Sequence, residues 1–316
     1  MNKMVITGAC GHIGSKLIRQ FDFRVFDEVL LIDNFASQRY CSLFNLPRNG
    51  KFRFVEADIL KSNLDVLFEN ASVVIHLAAL TNASASFDIQ NETELVNFEG
   101  TKRVAKACLN SGAQMIFLST TSVYGTQNDL VFEDCDIKDL KPQSPYADAK
   151  LKSEIFLNDF AANNNMFKYV VLRFGAIVGY SIGMRFHTAV NKFCWQAVAG
   201  ESLTVWSTAY EQVRPYLSLT DGVEAIGFII NNGVFDNNIY NVLTDNLSVK
   251  DIIAKIQRYI SGVEINFVDS KIMNQLSYDV SNEKLMNLGF CYTTDLNNEI
   301  YETLKNISSM NSVEIL

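Results

Sequence analysis

The sequence predicts an α/β chain: a doubly wound parallel sheet carrying a smaller α/β lobe. Three observations carry that prediction. Short apolar runs alternate with helix-length segments through the first half, the pattern of βαβ units in a parallel sheet with helices on both faces. The first apolar run leads straight into a glycine-spaced turn and a helix. Beyond about residue 175 the alternation loosens, which marks a second region. The 316 residues, 48% of them hydrophobic, suffice for one large domain or two smaller ones.

In chain order, strands are expected near 3–7, 29–32, 52–56, 72–76, 114–119 and 169–173, each a short β-branched or apolar run. Helices are expected between them near 12–20, 64–69, 92–111 and 145–164. In the second region the pattern gives a helix near 187–199 ended by Gly200, and short strands near 203–206 and 216–218. Helices near 221–231, 248–260 and 296–306 follow, the second opened by Ser248 as N-cap. There is no internal repeat, low-complexity tract or long linker.

Bulk properties exclude several function classes. A formal charge of −8 and no basic patch argue against a nucleic-acid partner. No apolar run approaches the roughly 20 residues of a membrane span. "MNKMVITG" enters a strand directly, leaving no room for a signal peptide. Six scattered cysteines with no C-x-x-C pair suit a reducing compartment, and with three histidines no metal centre is expected. The expectation is a cytoplasmic protein.

"MVITGACGHIGSKLI" runs strand, turn, helix. Gly8, Gly11 and Gly14 follow G-x-x-G-x-x-G, one residue wider in its first interval than the usual dinucleotide fingerprint. Gly8 permits the tight turn, Gly11 a close approach to pyrophosphate, and Gly14 helix–strand packing. The helix N-terminus offers amide donors to phosphate. Asp33 closes the strand "VLLID", nineteen residues after Gly14. A carboxylate there accepts from ribose hydroxyls and repels a 2′-phosphate, which favours NAD over NADP. The sheet is therefore Rossmann-type. Residues 1–175 are expected to be the NAD-binding domain and 176–316 an intimately packed substrate-binding lobe, some segments of which return to the first domain.

"QMIFLSTTSVYG" ends in four hydroxyl residues, Ser119 to Ser122, at the carboxyl edge of the sheet, where ligands of such sheets bind. "SPYADAKLKSE" then places Tyr146 and Lys150 at i, i+4 on one helix face. A neighbouring ammonium favours a phenolate, so the pair could move protons at a hydroxyl. Spacing alone does not decide this, since Tyr301 and Lys305 repeat it. The order of glycine loop, acid, hydroxyl strand and Tyr/Lys pair singles out the first copy.

With these motifs the chain resembles the extended short-chain dehydrogenases/reductases, in their NAD-dependent sugar-nucleotide epimerase/dehydratase branch. Further marks are "ADI" at 57–59, "HLAALT" at 76–81, "NFEGT" at 97–101, "LRFGAIVG" at 172–179 and "VRPYLSLTDGVEAI" at 213–226. The resemblance implies that His12 and Ile13 lie against pyrophosphate, Asp33 and Asn34 at the adenosine ribose, and Asp58 and Ile59 beside adenine. It puts Leu77, Ala78 and Ala79 behind the cofactor, with Asn97 nearby. It makes Tyr146 the proton-transferring base and Lys150 the holder of the nicotinamide ribose. Thr120 becomes the catalytic hydroxyl, with Thr121 as the alternative. Arg214 matches an arginine that binds substrate diphosphate, a role suited to its planar fork. Thr81, Ser86, Arg185 and Asn191 are further substrate candidates, with His187 and Thr188 beside them. His76, at an apolar strand end, reads as structural.

The resemblance also bears on the reaction. Dehydrating relatives carry Asp-Glu just after the catalytic threonine, and decarboxylating ones a Glu two residues before the "VYG" tyrosine. Thr121 and Ser122 stand there, and neither can act as a carboxylate. Epimerisation of a nucleotide-diphosphate sugar at C4 needs no more than Thr120, Tyr146, Lys150 and NAD. A 4-ketosugar reductase is the alternative, and a non-catalytic dinucleotide sensor a more distant one. Ala176 and Pro215 depart from the family's usual asparagine and aspartate, which leaves a substrate contact missing or supplied elsewhere. The resemblance further implies a homodimer packed through helices 92–111 and 145–164.

Overall fold

The computed structural model describes residues 2–127, 129–269, 277–311 and 315. Its centre is a parallel sheet of β1 (Lys3–Thr7), β2 (Glu28–Asp33), β3 (Phe52–Glu56), β4 (Ala71–His76), β5 (Gln114–Thr120), β6 (Tyr169–Phe174) and β10 (Ile239–Val242). These stand in the order β10-β6-β5-β4-β1-β2-β3. From β1 the chain winds one way to β3, then returns through β4 to the other side. The reversal between β1 and β4 opens a crevice at the strands' carboxyl ends, where ligands of such sheets bind.

Both faces are covered, which explains the nearly unbroken apolar runs. Met4 and Ile6 pack toward Leu17, Ile18, Ile226 and Ile229, from helices His12–Gln20 and Leu219–Asn232. Val5, one residue out of phase, packs toward Val104, Cys108 and Leu157 on the other face. This is the two-residue alternation of a strand between two helical layers. The helices there are a continuous segment 90–111 and Pro145–Asn163. The first is π-wound at Leu95–Glu99.

The lobe has its own sheets, β7 (Ala176–Val178), β9 (Val213–Ser218) and β11 (Asp245–Ser248) in one, β8 (Leu203–Trp206) and β12 (Ile265–Val268) in the other. Its core joins Phe193, Val198, Val205, Ile252, Ile256, Ile300 and Leu304. Ser248 caps helix Val249–Gln257 in a capping box with Asp251, as its sequence position predicts.

Strand β10, from the second region, pairs with β6 at the edge of the main sheet. Two expectations need correction. Strands β7, β10, β11 and β12 were not anticipated, because three- and four-residue segments such as "AIV" carry no readable period. The helix expected near 64–69 is one turn, Leu64–Leu67.

Candidate active site

A cavity of about 410 Å³ lies at the switch between β1 and β4 and runs into the lobe. At one end stands the glycine loop. Gly8 has φ +69°, and a Cβ there would meet the backbone nitrogen of Ala78 at 2.6 Å; one on Gly14 would meet the carbonyl oxygen of Ala9 at 2.5 Å. Only glycine lets β1, the loop after β4 and the helix approach this closely. Gly11, His12, Ile13 and Gly14 line the cavity, and the first-turn amides of the helix have no intrahelical acceptor. The donor set fits a dinucleotide pyrophosphate.

Asp33 fastens this loop. Its carboxylate accepts from the Cys10 amide at 3.0 Å and the Phe35 amide at 2.9 Å, leaving lone pairs for a ribose. Arg39 stands close enough to feel the Asp33 charge, a neighbour the sequence gave no reason to expect. His12 lines the cavity, but its ring is turned to the lobe, where Nε2 donates to the Gly179 carbonyl at 2.9 Å. Burial drives it down to about 3, so it is neutral.

The other end holds the chemistry. Ser144 caps helix Pro145–Asn163, accepting from the Ala147 amide, with Pro145 opening the first turn. This fixed start puts Tyr146 and Lys150 beside the end of β5, where both line the cavity. Burial pushes the Tyr146 phenol up to about 12, opposed by the Arg185 charge and a hydrogen bond with Thr120. Arg185 thus brings a cation to bear on the phenol from the lobe. The Lys150 ammonium donates to the Leu118 carbonyl at 2.8 Å and lies 4.6 Å over the Phe117 ring. Burial lowers it to about 7, opposed by Glu154.

The four hydroxyls closing β5 have separate tasks. Ser119 donates to Glu154, which also holds Arg173 at 2.6 Å in a pair almost wholly buried. Thr120 meets Tyr146 and donates to Ser122 at 3.2 Å. Thr121 turns to the Phe174 carbonyl and the Tyr278 hydroxyl. Thr120, not Thr121, is therefore the hydroxyl beside the phenol.

These features are those of a known family. The chain matches the "NAD dependent epimerase/dehydratase family" over residues 4–242. It belongs to that family. Its enzymes take NAD as cofactor, in keeping with the cradle described above. The chain is 26% identical over 321 residues to a trifunctional UDP-glucose 4,6-dehydratase/UDP-4-keto-6-deoxy-D-glucose 3,5-epimerase/UDP-4-keto-L-rhamnose-reductase of Arabidopsis thaliana. That alignment covers 96% of this chain and 46% of the plant protein, so the chain spans about half the length of this relative. With dTDP-D-glucose 4,6-dehydratase of Bos taurus it shares 28% identity over 91% of this chain and 83% of that one. The structure of UDP-glucuronic acid 4-epimerase from Bacillus cereus, in complex with UDP-glucuronic acid and NAD, is similar with a TM-score of 0.86. Identity there is 25%, covering 98% of this chain and 99% of that one.

Other residues expected at the family's site fall into three groups. Leu77, Ala79, Thr81, Arg185, His187, Thr188 and Arg214 line the cavity. Thr81 and Thr188 each present a buried hydroxyl oxygen without a protein partner. His187 is driven down to about 4 by burial and bonds the Thr81 backbone.

A second group acts behind the wall. Asn97, placed by the π-wound turn, clamps Leu80 through both its amide atoms at 2.8 Å. Ser86 accepts from the Tyr146 amide at 3.2 Å and donates to the Ala83 carbonyl. Asn191 donates to the Arg185 carbonyl at 3.1 Å. Ser86 and Asn191 thus hold Tyr146 and Arg185 from behind the cavity lining, with the Asn191 side-chain oxygen buried and without a protein partner. Ala78 lies against Gly8, and Asp58 and Ile59 follow β3, with Ile59 packed on Gly100. Asn34 is exposed and folds back on the Ala36 amide.

His76 is the third case. Its Nδ1 accepts from Thr7 at 2.8 Å; its Nε2 meets Thr101 at 3.1 Å, whose own proton goes to the Asn97 carbonyl. Nε2 therefore carries the hydrogen. Burial lowers His76 to about 3; it is a neutral strut linking β1, β4 and helix 90–111.

Proposed function

We propose that the protein epimerises a nucleotide-diphosphate sugar at C4, through a 4-keto intermediate. One observation carries this reading: among the described residues, the cavity is lined by Thr120, Tyr146 and Lys150 but by no Asp or Glu. Eliminating water from a hexose needs an acid and a base beside the redox pair, and no carboxylate supplies them. Lys150, Arg185, Lys192 and Arg214 line the same space, a cationic setting for an anionic diphosphate.

NAD, when bound, supplies a hydride acceptor that becomes the donor for the return. Tyr146, which the Arg185 charge and the positive nicotinamide of bound NAD would draw toward the phenolate, takes the proton of the 4-hydroxyl, and Thr120 holds that oxygen in line. Lys150 would hold the nicotinamide ribose of bound NAD. The sugar ketone, still tethered by its diphosphate at Arg214, turns its other face, and Tyr146 returns the proton. No proton leaves the site over the cycle, which suits a phenol enclosed by protein.

Incubation with a panel of UDP- and dTDP-sugars, with products separated by chromatography, tests this. The expected product is a C4 epimer, formed without added reduced cofactor by protein that purifies with NAD. A 4-keto-6-deoxy product would make it a dehydratase, and dependence on added NADH a ketoreductase.

The proposal includes a homodimer. Leu95 and Ile155 are 50% and 37% exposed, on helices that already pack together within one subunit. Phe98, Phe156 and Lys102 lie between them. Ala105, expected on this face, is buried inside the subunit. An isologous contact of these helices would cover the exposed pair. Sedimentation equilibrium at micromolar concentration should show a dimer; a monomer there would refute it. The six cysteines are all free, in keeping with a cytoplasmic setting. No helix among the described residues is long and apolar enough to cross a membrane.

A further inference from the structure

One aromatic residue in the cavity has no place in the sequence reading. Tyr278 follows "QLS" near the end of the lobe, 157 residues beyond Thr121, and lies against the hydroxyls that close β5. Its backbone is held from two sides. The Tyr278 amide donates to the Val213 carbonyl at 3.1 Å, and the Val131 amide to the Asp279 carbonyl at 2.9 Å. A bridge between Val131 and Val280 and a bond from the Val213 amide to the Ser277 hydroxyl at 3.3 Å complete the seat. The side chain is 5% exposed, yet it lines the cavity.

Its hydroxyl extends a row that begins at the catalytic phenol. Tyr146 meets Thr120, Thr120 donates to Ser122 at 3.2 Å, and Ser122 meets Tyr278. Tyr278 reaches Thr121 at 3.3 Å, whose proton points to the Phe174 carbonyl at 3.5 Å. Since Thr121 donates to Phe174, it accepts from Tyr278. Ser122, accepting from Thr120, then gives its hydrogen to the Tyr278 oxygen, and a substrate hydroxyl entering between the two would accept that hydrogen and donate to Tyr278 in its place. A donor and an acceptor side by side satisfy one hydroxyl group.

We propose that Tyr278 is a specificity-determining residue: with Ser122 it hydrogen-bonds the 3- or the 6-hydroxyl of the substrate, one to either side of C4, selecting an uncharged hexose that retains it. This rests on the nucleotide-sugar reading above. It also gives the positions of the missing carboxylates a use, because Thr121 and Ser122 become part of a neutral recognition wall. A deoxy analogue would forfeit both bonds and leave a void beside the Ser122–Tyr278 pair in an enclosed site, and sites built to bond a hydroxyl reject analogues lacking it.

The test uses NAD-loaded wild type and Tyr278→Phe. Each is given UDP-glucose and dTDP-glucose, then the 3-deoxy and 6-deoxy analogues of whichever is turned over faster. Wild type should prefer the parent sugar over one analogue by at least about tenfold in kcat/KM, and Tyr278→Phe should reduce that preference to within about threefold. The two analogues show whether the 3- or the 6-hydroxyl is read. Ser122→Ala should erode the same preference. A purely structural tyrosine would lower Tm and slow all three sugars equally, overturning the proposal, as would a wild type indifferent to both deletions; the nucleotide-sugar reading would survive either result. If calorimetry and turnover show neither parent sugar bound by wild type, the nucleotide-hexose reading fails and takes this inference with it.

Discussion

Two helices of this protein carry a tyrosine four residues before a lysine, and they differ in everything else. In Pro145–Asn163, Lys150 is 4% exposed and Tyr146 faces a hydroxyl strand and the Arg185 charge. In Leu296–Ser308, Lys305 lies 5.7 Å over the Tyr301 ring, reaches Glu302 at 3.8 Å, and has 59% of its side chain in solvent. Tyr301 packs on Tyr259, within the lobe. The i, i+4 spacing sets only a common face. Chemistry comes from where the helix begins: Ser144 and Pro145 start the first at the carboxyl edge of the parallel sheet, whereas Asp295 starts the second away from the cavity.

The largest expected difference between them is energetic. Glu154, one turn beyond Lys150, forms a bidentate pair with Arg173 at 3% and 2% side-chain exposure. Glu154→Gln leaves a buried guanidinium without its counter-charge and should cost about 3–5 kcal/mol of stability. Glu302→Gln, at a half-exposed pair, should cost no more than about 0.5 kcal/mol. Denaturant unfolding of both variants decides it; similar losses would mean that the catalytic helix is no more tightly determined than its counterpart.

The next sharpens the contrast through pH. Burial holds Lys150 near 7 in the fold, against 10.5 for the free side chain. Between those values the unfolded chain keeps a proton that the folded NAD-free protein has lost, so stability rises with pH. One proton contributes at most about 1.4 kcal/mol per unit. Below about 7 both states are protonated and the slope vanishes. Lys150→Met should remove this slope between pH 7.5 and 8.5, and Lys305→Met should leave it intact. An unchanged slope in Lys150→Met would mean that the ammonium stays charged in the fold.

A smaller effect concerns the cofactor end, where a charge again acts through its placement. Asp33→Ala removes the carboxylate that repels a 2′-phosphate and leaves Arg39 beside the ribose site. NADP affinity should improve about tenfold relative to NAD in a direct titration. Comparable affinities in the wild type would overturn the role given to Asp33.

What could be read from the sequence was what is local along it. The glycine turn, Asp33 at the end of β2, the hydroxyls of β5 and the capped start of the catalytic helix each fall within a few residues. Their backbone demands leave a mark in residue choice. Contacts made across the fold leave none. Arg39 lies in electrostatic range of Asp33 across a loop, Arg185 acts on Tyr146 from the lobe, and Tyr278 reaches Thr121 over 157 positions. Ser86 and Asn191 are substrate candidates in the sequence, and only packing shows that they also hold Tyr146 and Arg185. Strand β10 escaped notice for a similar reason: "IYNV" becomes a strand because β6 offers it an edge.

The central claim is that one Tyr/Lys pair is a proton-transfer device and the other is packing. Tyr146→Phe and Tyr301→Phe each delete a single hydroxyl oxygen and keep the ring. Turnover of both should be measured on the nucleotide sugar the wild type uses, together with retained NAD. Tyr146→Phe should hold NAD and lose at least about a hundredfold in turnover, the scale of a general acid–base group, with Tyr301→Phe within about twofold of wild type. Near-normal turnover in Tyr146→Phe, or a greater loss in Tyr301→Phe, would contradict the account.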